Sequence, residues 1–240
     1  MKKYFSIVFL LLIFLASLLT TKQSINTMKS IFFTTEDSDS KLITIVIDPG
    51  HGGRDPGKVG VNNALEKDIN LKIAFLLKDL LEQNDFNVIM TREEDVGLYQ
   101  ESDTNKKRAD LNNRVDIIHS SNADLAISIH QNSFTEEYVK GAQVFYYQQS
   151  EQGKKLAELI QAKLKETLAD DNHRKAKSNT SYYMLTKTKC PLVIVECGYL
   201  SNQMEAELLV KEDYQEKMAM GILLAVLQFI EAGGLETTTK

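Results

Sequence analysis

From residue 41 onward, short apolar runs rich in β-branched residues alternate with longer stretches whose apolar residues recur every three or four positions. That alternation is the strongest constraint on the fold. A chain that switches between a period near 2 and a period near 3.6 must stack helices on a sheet. Leu42–Ile47, Phe86–Met90, Ala123–His130, Ala142–Tyr147 and Leu192–Glu196 read as strands. Glu66–Gln83, Ala109–Ser120, Glu151–Leu168 and Tyr214–Ile230 read as helices, the first through Ile69, Ile73, Leu76, Leu77 and Leu80. The expectation is a single α/β domain over residues 41–234, with a largely parallel (mixed), twisted sheet flanked by helices on both faces. A short polar tail, 235–240, follows.

The N-terminus does not belong to that pattern. Lys2 and Lys3 precede an almost unbroken apolar run from Phe5 to Leu19 that carries no acid. A basic segment followed by an apolar one is a targeting signal, so residues 1–21 are expected to be a signal peptide or an uncleaved signal-anchor, with membrane association through residues 4–21. Residues 22–40 are polar and aperiodic and read as a linker. The chain is therefore expected to be exported, to the extracytoplasmic side or held at the membrane.

Charge and composition narrow the partners. A net charge of −5 excludes a general nucleic-acid binder, which would carry a basic face. With no Trp, a sugar platform would have to use Tyr or Phe. Cys190 and Cys197 flank a strand, which sets their Cα atoms roughly 20 Å apart, too far for a mutual disulfide.

Four residues carry the chemistry. His51 follows the first strand through Asp48-Pro49-Gly50, His130 ends the third, and Glu196 ends the last. In an open parallel sheet the ligand site lies beyond the carboxyl ends of the strands. Glu66 opens the first long helix after the loop 51–65 and returns toward the same edge. Zinc enzymes commonly use three protein ligands, His₂Glu among them, and a second carboxylate can serve as base. Position hints at the roles: Glu66 lies at a loop–helix junction, whereas Glu196 lies on a buried strand where desolvation raises its pKa. The glycines of His51–Gly57 match no phosphate-binding pattern and are expected to let backbone approach a bulky ligand.

Ile45–Gly57 (IVIDPGHGGRDPG), the glutamate opening the next helix, Arg114 leading to Ala123–His130, and Val195–Asn202 together resemble the zinc-dependent N-acetylmuramoyl-L-alanine amidases of family 3. The resemblance runs from about residue 41 to 231. Residues 140–147 and Asn172–Arg174 resemble the germination-specific, CwlD-like branch of spore formers. The resemblance implies Zn²⁺ held by His51, Glu66 and His130, with Glu196 as catalytic base. It implies a peptidoglycan (muropeptide) substrate cut between N-acetylmuramic acid and L-alanine. It further implies a role in the spore cortex as a step toward muramic-δ-lactam, and in a spore former a place in the forespore intermembrane space. Arg54, Asn132 and Arg174 are candidate substrate contacts, and Arg114 a further basic contact. An accessory protein partner is compatible with all of this. The competing readings are a zinc carboxypeptidase-like peptidase and a metal-free or partner-dependent binding protein of the same fold.

Overall fold

The structure, a computed structural model, describes residues 42–169 and 171–235. The targeting segment 1–21, the linker 22–40 and tail residues 236–240 lie outside the described residues. Six strands are present: β1 (Thr44–Pro49), β2 (Asn87–Met90), β3 (Leu125–Asn132), β4 (Gln143–Tyr147), β5 (Lys177–Asn179) and β6 (Leu192–Tyr199). Six helices accompany them: α1 (Glu66–Glu82), α2 (Lys106–Ser120), α3 (Glu151–Leu168), α4 (Tyr183–Lys187), α5 (Gln203–Leu209) and α6 (Glu212–Glu231). The sheet order is β2-β1-β3-β6-β4-β5. β2, β1, β3 and β6 run parallel, and β4 pairs antiparallel with β6. The sheet is thus mixed and mostly parallel, as the alternating pattern predicts.

Strand side chains alternate between the two faces, and the faces differ in what covers them. On one, Ile45, Ile47, Ile127, Ile129, Val193 and Val195 pack against α1, α3 and α6 through residues such as Ile73, Leu77, Leu156, Ile160, Ile222 and Phe229. On the other, Val46, Ala126, Leu192, Ile194 and Phe145 meet Val115 and Ile118 of α2 and Met184 and Leu185 of α4. Removing these side chains from water is the main drive for the stack. Helix starts are fixed locally: the side chains of Asn105, Ser150 and Asn202 accept from the backbone N–H of Arg108, Gly153 and Glu205.

The second face changes character along the strands. The register aligns Val46 with Ala126 and Leu192, then Asp48 with Ser128 and Ile194. One step further it aligns His130 with Glu196 and Glu196 with Gln143. An apolar layer therefore gives way to a mixed layer and then to a polar layer at the carboxyl edge. Cys190 is half-buried and Cys197 buried, and both are free thiols.

Candidate metal centre

Three of the four sequence-predicted residues converge on one point. The Nε2 of His51 lies 3.2 Å from Glu66 Oε1, and the Nδ1 of His130 lies 3.0 Å from the same oxygen. One ligand atom from each residue falls within 4.8 Å of the others. The imidazole rings stand edge to face with centroids 5.1 Å apart. Four donors around a tetrahedral zinc lie about 3.3 Å from one another. The 3.2 and 3.0 Å gaps are close to that spacing, and two imidazoles with a carboxylate are a zinc-type donor set, so the residues fit the ion.

Each donor is placed by identifiable neighbours. His51 adopts a left-handed backbone, φ 63, which non-glycine residues rarely tolerate. Two buried arginines hold that turn. Arg114 donates to Asp48, to the Pro49 carbonyl and to the His51 carbonyl. Arg92 donates to the carbonyls of Pro49 and Gly50 and, from α1, of Lys67. The other ring nitrogen of His51 lies 2.8 Å from Asp55 Oδ2, the carboxylate–imidazole arrangement that fixes ring orientation in metal sites. Glu66 lies at the loop–helix junction expected of it, as the first residue of α1, and the junction is held tightly. It is 2% exposed, its Oε2 accepts from the Lys58 N–H, and its Oε1 accepts from the Gln131 N–H. Gln131 is tied in turn to Asn70 of α1.

The glycines of the loop also have a different task from the one expected of them. A Cβ on Gly50 would sit 2.2 Å from the His130 ring, and one on Gly57 would sit 2.5 Å from the Glu66 carboxylate. They make room for the protein's own donors, not for a bulky ligand.

Glu196 completes the group. It pairs in register with His130 on the neighbouring strand, and parallel partners present their side chains to the same face. Its Oε2 is buried without a hydrogen-bond partner. Burial is the largest influence on its carboxyl and lifts its pKa to about 7, against the partial pull of His130. Glu66 behaves in the opposite way. Burial alone would raise it, but the imidazoles of His130 and His51 hold it far below the usual carboxylate range. His51 is held up at about 9: burial works to lower it, and Glu66 and then Asp55 override that. One carboxylate is thus pinned ionised among the imidazoles, and its neighbour is poised to exchange a proton near neutral pH.

The remaining candidates are more peripheral. The Arg54 side chain is 72% exposed and lies 3.4 Å from Glu101. Asn132 follows a register shift in β3 and accepts from the Ser133 N–H. The Arg174 guanidinium stacks on the Tyr199 ring at 4.7 Å and donates to the Lys140 carbonyl. Arg114 is not a substrate contact. It is 2% exposed and its ion-pair partners are Asp48 and Asp110, because the polar layer beneath His51 needs an internal cation. His119 accepts weakly from the Lys189 N–H, and His173 is exposed beside Asp171. Sequence reasoning missed Asp55 and Arg92. Asp55 sits four residues after His51, a spacing that could have flagged it, whereas nothing local marks Arg92 as buried.

A cleft of about 360 Å³ opens beside His51 and His130. A mostly parallel sheet with a His-Glu-His cluster able to hold a metal ion at its carboxyl edge, a buried carboxylate beside it and an adjoining cleft define a hydrolase-type site. The N-acetylmuramoyl-L-alanine amidase family model (Amidase_3) matches residues 45–228, and the chain belongs to that family as an amidase. It is 40% identical over 193 residues to the germination-specific N-acetylmuramoyl-L-alanine amidase of Bacillus subtilis (strain 168), across 79% of this chain and 81% of that one. Its fold is similar to the CwlD amidase from Clostridioides difficile in complex with the GerS lipoprotein, with TM-score 0.77 and 39% identity over 79% of this chain and 99% of that one. An N-acetylmuramoyl-L-alanine amidase from Clostridium difficile 630 aligns with TM-score 0.71 and 29% identity, over 80% and 99% of the two chains.

Proposed function

We propose that the protein is a zinc-dependent peptidoglycan hydrolase that cuts the amide between N-acetylmuramic acid and the L-alanine of the stem peptide, in the spore cortex as a step toward muramic-δ-lactam. The observation that carries the reading is the convergence of His51, Glu66 and His130 beside a buried, unpartnered Glu196 oxygen. His51, Glu66 and His130 would hold the ion, which supplies Lewis-acid polarisation of the amide carbonyl and acidification of water. The remaining chemistry belongs to the chain. Glu196 accepts a proton from the attacking water and delivers it to the departing L-alanine nitrogen, a task suited to a carboxyl with a pKa of about 7. Asp55 keeps the His51 ring turned toward Glu66, and Arg92 and Arg114 keep the His51 backbone from relaxing out of its turn. Arg54 from the β1 side, and Arg174 with Asn132 from the other, are proposed substrate contacts.

The cellular setting is part of the same proposal. Residues 1–21 would export the chain, cleaved or as an anchor, and in a spore former would place it in the forespore intermembrane space. The resemblance to an amidase determined with a bound lipoprotein supports an accessory protein partner. Three measurements test the reading together. The purified protein should contain about one zinc per chain and should release from muropeptides intact stems with a free L-alanine N-terminus. Release of C-terminal residues alone would instead establish a carboxypeptidase. Spores lacking the protein should lose muramic-δ-lactam, and normal lactam content would refute the cortex role.

A further inference from the structure

The cleft beside the donors has an asymmetric charge. Its acids are already engaged: Asp48 and Asp110 by Arg114, and Asp55 by His51. The outer wall carries three cations, Arg54, Lys106 and Lys107. Among the described residues Glu101 is the one carboxylate ion-paired with them, from a side chain 70% exposed, through Arg54 and Lys106. Among the described residues Lys107 has no carboxylate within ion-pair distance, and its field reaches Asp55 next to His51. This surplus sits on a protein whose net charge is −5.

Lys106 is held by Glu101 and by the Tyr99 ring, 5.4 Å below its ammonium group, but no ion pair accounts for Lys107. Lys106 and Lys107 open α2, whose first turn holds no acid, although a helix start favours carboxylates over ammonium groups. The end of α2 is braced elsewhere: Arg108 stacks on Tyr183 at 4.4 Å, and Leu98 donates to Asp110. The two lysines are therefore carried on a braced helix end, and with Arg54 of the loop after β1 they line a concave space continuous with the donors. A cavity of about 360 Å³ lies in the range that encloses a small ligand. An extended peptide advances about 3.5 Å per residue, so a carboxylate two residues beyond the scissile amide lies within reach of such a wall.

We infer that Arg54, Lys106 and Lys107 form a carboxylate subsite for the stem peptide, reading the free α-carboxylate of the glutamate that follows L-alanine. The inference deepens the amidase reading and rests on it. It sets the direction of the substrate, with the peptide running along α2 and the sugar on the side of Glu196 and β4.

The test compares N-acetylmuramoyl-L-alanyl-D-glutamate with its α-amidated counterpart, N-acetylmuramoyl-L-alanyl-D-isoglutamine. Binding to zinc-loaded Glu196→Gln protein, followed calorimetrically, should favour the acid form about tenfold, the worth of one charge-assisted hydrogen bond. Adding Lys106→Gln and Lys107→Gln should reduce that preference to about one, and Lys107→Arg should keep it. Equal binding of the two ligands by the Glu196→Gln parent, no binding of the acid form, or a preference that survives the lysine substitutions would overturn the subsite. Hydrolysis by the wild-type enzyme is scored separately. If it cuts neither compound, the amidase reading fails while the binding comparison still decides the subsite.

Discussion

The two sides of the site are built on opposite rules. Around His51, polar atoms are answered from within: Arg92 and Arg114 take the carbonyls of Pro49, Gly50 and His51, and Asp55 and Glu66 take the ring nitrogens. Around Glu196 the chain leaves a carboxylate oxygen buried and unpaired. Gln131 Oε1 and Thr188 Oγ1 share that state among the described residues, but neither can ionise. A buried unpaired carboxylate is costly. Under the proposed mechanism the contrast separates holding from reacting: the proposed metal donors are saturated, and the proposed base is left without a fixed partner.

The sharpest way to probe the contrast is at its open end. Glu196→Gln should lower hydrolysis by a factor of about 10²–10⁴ while zinc content, read by atomic emission, stays at the wild-type level. Retained activity would remove Glu196 from the role of base. At the saturated end, Arg114→Ala should cost about 3–5 kcal/mol in urea unfolding, because Asp48 would be left buried without its cation. A loss under 1 kcal/mol would show that the clamp is dispensable. Asp55→Ala frees the His51 ring and should weaken zinc binding by about 10–100-fold, measured by chelator competition, with little change in folding stability.

The smallest effect concerns acid. Arg114, Ser128 and Thr91 overcome burial to hold the Asp48 carboxyl down at about 2. A depressed carboxyl contributes stability in full above its unfolded pKa, near 3.8, and loses it as pH falls through 2. Asp48 should therefore contribute about 2 kcal/mol at pH 5. The stability gap between wild type and Asp48→Asn should shrink as the pH is lowered from 5 toward 2. A gap that does not change with pH would mean that Asp48 titrates alike in both states.

The sequence made the saturated and unsaturated ends unequally visible. His130 and Glu196 were legible because each closes the apolar run of its strand, although β3 continues to Asn132 and β6 to Tyr199, and the carboxyl side of the strands is the edge where ligands bind. Strand and helix positions followed from periodicity, with ends displaced by a few residues, as at β1, which starts at Thr44 instead of Leu42. β5, α4 and α5 escaped notice: Lys177–Asn179 has no apolar residue, and helices of five and seven residues are too short to display a period. The clamp was illegible for another reason. An arginine in a sequence reads as a surface charge, and only the sheet brings Asp48 beneath Arg114, which is why Arg114 looked like a substrate contact. The burial of Glu66 likewise depends on Lys58 and Gln131, neither of which is apolar.

The left-handed turn at His51 and the polar layer beside it have a consequence for the order of events in the life of the chain. Glu66 and His130 stand 64 positions apart, and the Gly50 N–H bonds to Ile129 only once β1 and β3 are side by side. No local segment can pre-form the donor cluster, so an unfolded or partly folded chain has no affinity site to load. If the proposed ion is bound, its uptake would be a late checkpoint of maturation, and a chain passing unfolded through a membrane would travel inert and become active only where its sheet closes.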